Sequence, residues 1–232
     1  MKLLNLISIS TLLCLFSLQA VAGDKTKVSI IGDSYSTFED CVSPKWNEVW
    51  YFNNPKLDKT DLTDPSQTWW RILLEDDKYV LEKNNSFSGS TICTTGYNGA
   101  DFSDRSFISR MHNLGNPELI LIFGATNDSW ANSPIGEFKW EGWNEEDLKS
   151  FRPALAYFLQ NITSLYPESR FLYIVNDGLK DEITSSIIEA CEKTGIPYIR
   201  LEGIDKTAGH PNIRGMQQIA DQVRSSLHTL NQ

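Results

Sequence analysis

The stretch KVSIIGDSYSTFED, residues 27–40, sets a short run rich in Val and Ile directly against Gly32-Asp33-Ser34. A run this short and this β-branched reads as a strand from Lys27 to Ile31. The glycine behind it reads as the turn that ends the strand, so Ser34 is expected at its carboxyl end. Glu118 to Phe123, ELILIF, carries the same signature with no polar interruption, as expected of a strand covered on both faces.

Outward from these two runs, strands and helices alternate. Tyr79 to Leu81, Phe171 to Val175 and Pro197 to Leu201 read as further strands. Gln67 to Asp77 reads as a helix with Trp70, Leu73 and Leu74 on one face. A second helix is expected from about Glu145 to Leu165, with Leu148, Phe151, Leu155, Phe158, Leu159 and Ile162 at three- and four-residue steps. A third covers Asp181 to Lys193. The last runs from Pro211 to about Leu227, where Ile213, Met216, Ile219, Ala220, Val223 and Leu227 repeat at helical spacing. Such alternation implies right-handed crossovers. The expected fold class is α/β, a three-layer αβα sandwich with a mainly parallel, flavodoxin-like five-stranded sheet.

The amino terminus has a different character. Lys2 is followed by an almost wholly apolar run from Leu3 to Leu18 and by Ala20-Val21-Ala22, the small-x-small pattern of a cleavable leader. The run is short for a membrane span. Residues 1–22 are therefore read as a signal peptide and residues 23–232 as one domain, secreted or periplasmic after cleavage. Cys14 would suit a lipoprotein anchor, but Leu13 stands where a small residue is expected. Without Cys14 the cysteines are Cys41, Cys93 and Cys191, and a Cys41–Cys93 bridge or unpaired thiols both fit the spacing. The formal charge of −9 disfavours nucleic acid, whose binding draws on clustered Lys and Arg.

Two long segments, Tyr35 to Ser66 and Ser129 to Asn144, break the rhythm. Both are polar, contain Pro and are dense in aromatic residues. Each leaves the carboxyl end of a strand, where open α/β sheets place their ligands, so both read as walls of a pocket. Trp46, Trp130 and Trp143 are the candidate substrate-binding residues in these walls, alongside a reading in which the indoles pack the loops against one another.

A serine at a strand end is a nucleophile if a base is near and donors cradle the developing oxyanion. Gly209-His210-Pro211-Asn212 supplies a base candidate just before the last helix, with Pro211 expected in its first turn. Donor candidates lie in Asn85 to Ser90 and in Phe123 to Asp128, again just past strands. Gly32-Asp33-Ser34 with Ser36, then Gly89, then Asn127-Asp128, then His210-Pro211 follow one another in the order and approximate spacing of the SGNH (GDSL-type) hydrolases. The resemblance runs from Val28 to the final helix.

The resemblance implies that Ser34 is the nucleophile and that its amide, the Gly89 amide and the Asn127 side chain form the oxyanion hole. It implies that His210 is the general base. No cofactor and no metal is implied, and His112 and His228 lack partners at ligand spacing. The substrate implied is an acyl ester of a small molecule or glycan. The chain departs from the family pattern twice. Thr207 stands where an Asp usually orients the histidine, which leaves Asp205 or a backbone carbonyl for that role. Ala125 stands where the third block usually has Gly, and would be strained at positive φ. Two other functions suit the same residues: a non-catalytic glycan-binding module on this scaffold, and an acyltransferase that passes the acyl group to a sugar. Oligomeric state is not legible.

Overall fold

A computed structural model describes residues 25–56 and 58–230. The leader expected over residues 1–22 lies outside them. Five strands, β1 (Thr26–Gly32), β2 (Tyr79–Asn84), β3 (Leu119–Phe123), β4 (Arg170–Val175) and β5 (Tyr198–Arg200), pair in parallel in the order β2-β1-β3-β4-β5. Helices α1 (Trp69–Leu74), α2 (Phe107–Arg110), α3 (Thr126–Ala131), α4 (Phe151–Leu165), α5 (Asp181–Thr194) and α6 (Ile213–Leu230) complete the three layers.

Strand side chains alternate between the two faces, and both faces are filled. Ile31, Ile120, Ile122, Tyr173 and Val175 pack toward α4 and α5. Val28, Ile30, Leu119, Leu121, Phe123, Leu172 and Ile174 pack toward α1 and α6. Burial of each aliphatic side chain contributes about 1.5–3 kcal/mol, so a strand like β3, buried at every position, anchors the sheet from both sides. Trp69 and Trp70 are fully buried on the α1 side. Helix α6 comes so close to the loop before it that a side chain at Gly215 would sit 2.0 Å from the Asp205 carbonyl oxygen.

Differences from expectation lie at the starts of α4 and α6 and in the cysteines. Helix α4 starts at Phe151, not near Glu145, because the carbonyls of Pro134 and Ile135 accept the Phe151 and Arg152 amides and end-cap the helix there. Pro211 is not helical: it pairs with Lys206 in a hairpin of β6 (Lys206–Thr207) and β7 (His210–Pro211). Helix α6 follows at Ile213, whose amide donates to Asp61 Oδ1, while the Asn212 side chain caps Gly215. Cys41, Cys93 and Cys191 are all free thiols, so the Cys41–Cys93 bridge does not form. Among the described residues no helix is long and apolar enough to cross a membrane.

Candidate active site

Strand β1 lies between β2 and β3, so the loops leaving all three strands meet at its carboxyl end. The backbone stitches them together. Asp33 N–H donates to the Phe123 carbonyl at 3.2 Å, and Phe87 N–H donates to the Gly32 carbonyl at 3.1 Å. Asp33 caps a single 3-10 turn, Ser34–Ser36, by accepting from the Tyr35 amide. Ser34 is thus held at the head of a short turn, with the β2 and β3 loops on either side.

The hairpin β6–β7 brings His210 to this point from the far end of the chain. Its two-residue loop, Ala208 and Gly209, has φ of 49° and 79°, the left-handed pair that matches the twist of a tight hairpin. Thr207 and His210 are therefore directly opposed. Tyr35 Oη donates to the Gly209 carbonyl at 2.6 Å and Tyr51 Oη to the Pro211 carbonyl at 2.8 Å, which pins the backbone on both sides of the histidine. Lys206 is tied to Asp177, and Asp177 Oδ2 also accepts from the Ile204 amide.

His210 Nε2 lies 2.9 Å from Ser34 Oγ, and His210 Nδ1 lies 3.2 Å from the Ala208 carbonyl oxygen. A carbonyl only accepts, so Nδ1 carries the proton and Nε2 presents its lone pair to the serine hydroxyl. Burial of the ring pushes its pKa down to about 4; the Ala208 carbonyl works against this shift and the charge of Lys206 adds to it. The imidazole is neutral, and competent as a base, well into acid.

Asp205 does not reach the imidazole. The hairpin register places it beyond the Lys206–Pro211 pair, where its carbonyl accepts from the Asn212 amide and its carboxylate pairs with Arg214 at 3.2 Å. The rival expectation, a backbone carbonyl at Nδ1, describes the geometry.

Gly89 is the third residue of a turn closed by the Ser90 amide on the Phe87 carbonyl, and its φ of 83° favours glycine there. The amides of Ser34 and Gly89 have no acceptor among the described residues. Asn127 is buried in the first turn of α3. One of its N–H groups donates to the Ser90 carbonyl at 3.0 Å, and its Oδ1 accepts from Tyr97 Oη at 2.7 Å. The amide orientation is thereby fixed, and its second N–H is left for a ligand. Asp128 accepts from the Ile92 and Cys93 amides and holds that loop; burial raises its pKa to about 7.

The glycine displaced in the third block has a steric cause. A side chain at Gly124 would lie 2.3 Å from the Phe107 ring, so this position must be glycine, while Ala125 itself takes the left-handed turn with φ of 76°. The left-handed form costs a non-glycine residue about 1–2 kcal/mol, and the buried methyl returns about 0.8 kcal/mol. Two urea titrations check this. Gly124→Ala is expected to lose about 1–3 kcal/mol of stability through overpacking, and Ala125→Gly to change it by less than about 1 kcal/mol, since strain relief is offset by the lost methyl and by glycine's chain entropy.

Of the three candidate tryptophans, the structure brings one to the histidine. Trp130, at the end of α3, meets the His210 ring edge-on with centroids 5.5 Å apart. Trp46 is 80% exposed and borders a polar cleft of about 440 Å³ with Phe87, Asp104 and Arg105. Trp143 packs edge-on against Tyr157 of α4 and donates to the Lys139 carbonyl; it braces its loop instead of facing the serine.

Two residues escaped the sequence. Arg110 of α2 is buried, and its guanidinium donates to the carbonyls of Gly32, Asn85 and Arg105 and to Ser90 Oγ. It ties the loops after β1 and β2 to each other; burial lowers its pKa to about 9, opposed by Asp33, so it stays charged at neutral pH. No motif marks it, because its role arises only when α2 packs behind both loops. Trp50 stacks flat on His210, and only the aromatic density of its loop hinted at that. Among the described residues no cluster of three His, Cys, Asp or Glu side chains is placed to hold a metal.

Comparison with known proteins agrees with this architecture. The family model of the GDSL-like lipases/acylhydrolases matches residues 26–227. Two crystal structures provisionally described as GDSL-like lipases are similar along nearly their whole length. One, from Bacteroides ovatus, is 49% identical with a TM-score of 0.87 over 89% of this chain and 99% of its own. The other, from Bacteroides uniformis, is 50% identical with a TM-score of 0.86 over 89% and 97%. A family two carbohydrate esterase from Cellvibrio japonicus shares the fold at 13% identity, with a TM-score of 0.62 over 88% of this chain and 61% of its own. No curated protein matches. The chain belongs to the GDSL-like lipase/acylhydrolase family, hydrolases that act on esters.

Proposed function

We propose that the chain is an exported serine esterase working through a Ser34–His210 dyad and releasing an acyl group from a carbohydrate ester. The observation that carries the catalytic part is the 2.9 Å contact between Ser34 Oγ and His210 Nε2 where the β1, β2 and β3 loops meet. In this reading Ser34 Oγ attacks the ester carbonyl as His210 Nε2 takes its proton. The tetrahedral oxyanion is held by the Ser34 and Gly89 amides and the free N–H of Asn127. Collapse breaks the bond to the alcohol, which leaves with the proton from His210. Water then attacks the acyl-serine, again giving a proton to His210, and the carboxylic acid departs as Ser34 recovers its hydrogen.

The glycan half of the proposal is supported by the aromatic surface beside the serine, with Trp130 41% exposed, and by the fold shared with carbohydrate esterases. Export is supported by the leader pattern of residues 1–22.

Hydrolysis of nitrophenyl acetate, followed from pH 3 to 8, tests the proposal. The free-enzyme base is His210, so kcat/KM should hold its plateau down to about pH 5 and be halved near pH 4, the value to which burial pushes the ring. The sign follows from the base being active only when neutral: protonation below that pH removes the lone pair that Ser34 needs. No turnover at any pH would refute the esterase, and an acid limb centred above pH 6 would refute a buried, carbonyl-supported imidazole.

A further inference from the structure

A neutral, buried imidazole with only a carbonyl behind it poses a physical problem. In the transition state His210 becomes an imidazolium, and among the described residues no carboxylate is hydrogen-bonded to either ring nitrogen. Around the ring stand Lys206 on β6, Tyr35 after β1, Tyr51 and Trp50 in the loop that follows, and Trp130 on α3. The charge felt by the ring is that of Lys206, which is of the wrong sign and is itself paired with Asp177.

Trp50 has the geometry to answer this. Its ring lies parallel to the imidazole, with centroids 3.7 Å apart and planes 7° apart. Its position is built into the nucleophile's own turn: the Thr37 hydroxyl donates to the Ser34 carbonyl at 2.9 Å and accepts from the Trp50 amide at 2.9 Å. The backbones of Ser34 and Trp50 are thus joined through one hydroxyl. The Trp50 indole N–H is buried with no acceptor among the described residues, which costs stability. No side-chain hydrogen bond therefore holds the indole in place; it is held by packing against the core on the α1 and α6 side and by its ring contact with His210.

We infer that Trp50 is a positioning residue for the dyad. Its face fixes the plane in which His210 Nε2 points at Ser34, and it lies against the positive charge that the ring carries after taking the serine proton. A carboxylate performs both tasks in a Ser-His-Asp triad; here a π-face performs them. The inference rests on the hydrolase reading above.

Trp50→Phe and Trp50→Leu separate a π-face from mere bulk. A stacked cation is stabilised by about 0.5–2 kcal/mol over an aromatic face, so Trp50→Leu is expected to lower kcat on nitrophenyl acetate by about tenfold with KM unchanged. Trp50→Phe should retain at least about a third of the wild-type rate. A packing role alone predicts equal losses in the two variants, scaling with their melting temperatures, and that result overturns the inference. If the wild type turns over and Trp50→Leu is as fast, the inference fails while the esterase stands; if the wild type is inert, both fall. A measurement on the unmutated chain adds an independent check. It has three histidines, and the ring protons of the one lost in His210→Gln should be displaced upfield in the NMR spectrum by the indole. Unshifted His210 protons would place the indole elsewhere and end the argument.

Discussion

Ser34→Ala should abolish ester hydrolysis, lowering kcat by at least about 10⁴-fold, and should end covalent labelling by a fluorophosphonate, which in the wild type adds one group to the Ser34 peptide. The size follows from how such sites fail: losing the nucleophile of a comparable triad costs about 10⁶-fold in kcat, and only the binding and oxyanion terms, worth about 10³–10⁴ over water, remain. The variant should fold. The serine hydroxyl is almost fully buried, and its contact is with His210 Nε2, so its removal leaves one acceptor unpaired and costs about 1–3 kcal/mol at most. The Ser34 carbonyl still accepts from the Thr37 amide and hydroxyl, and the 3-10 turn keeps its Asp33 cap. A folded Ser34→Ala chain that hydrolysed esters at the wild-type rate, or that still took the label, would assign the chemistry to another residue.

The elements that sequence makes visible are those whose stability is local in pattern. Strand β3 announces itself because both faces are covered, which favours an unbroken apolar run, β1 because a short β-branched run ends on a glycine, and α6 because its apolar stripe recurs every three or four residues. Helices α2 and α3 are invisible for the converse reason. TNDSWA of α3 has no apolar stripe; it forms where the chain must turn off β3, with Asn127 fixed by Ser90 and Tyr97 and Asp128 by two amides of the neighbouring loop. Such contacts come from other parts of the chain and leave no period in the sequence.

The catalytic blocks were legible as residue types, but their supports were not. Ser34, Gly89 and Asn127 lie in the segments that leave β1, β2 and β3, and His210 lies in the β6–β7 hairpin before α6, in the chain order that the resemblance to SGNH hydrolases implies. Asp205 was read five residues before the histidine, and spacing alone could not decide whether the intervening chain bulges or turns. The left-handed pair Ala208–Gly209 decides it. A two-residue hairpin without Asn-Gly carries a weak turn signal, so the register that sends Asp205 toward Arg214 becomes clear only in three dimensions. Arg110 and Trp50 illustrate the same limit, since each matters through the loops it happens to meet.

His210→Gln and Asp205→Ala should therefore diverge by orders of magnitude. His210→Gln removes the group that, among the described residues, is hydrogen-bonded to the Ser34 hydroxyl and can take its proton; glutamine can accept a hydrogen bond there but not hold the proton, so kcat should fall by at least about 10⁴-fold, since losing the base of a comparable site costs about as much as losing the whole triad. Where a carboxylate orients the histidine, removing it costs a comparable factor of about 10⁴. Here Asp205 is partly exposed and bound to Arg214, while Nδ1 is served by Ala208, which no side-chain substitution deletes. Asp205→Ala should change kcat by less than about threefold, because an exposed ion pair is worth no more than about 1 kcal/mol and lies off the proton path. The comparison is made on folded protein at pH 7, where the imidazole is neutral. A loss of about 10³-fold or more in Asp205→Ala, approaching that of His210→Gln, would mean that the carboxylate swings onto the ring during turnover, and the carbonyl-backed dyad would give way to a triad.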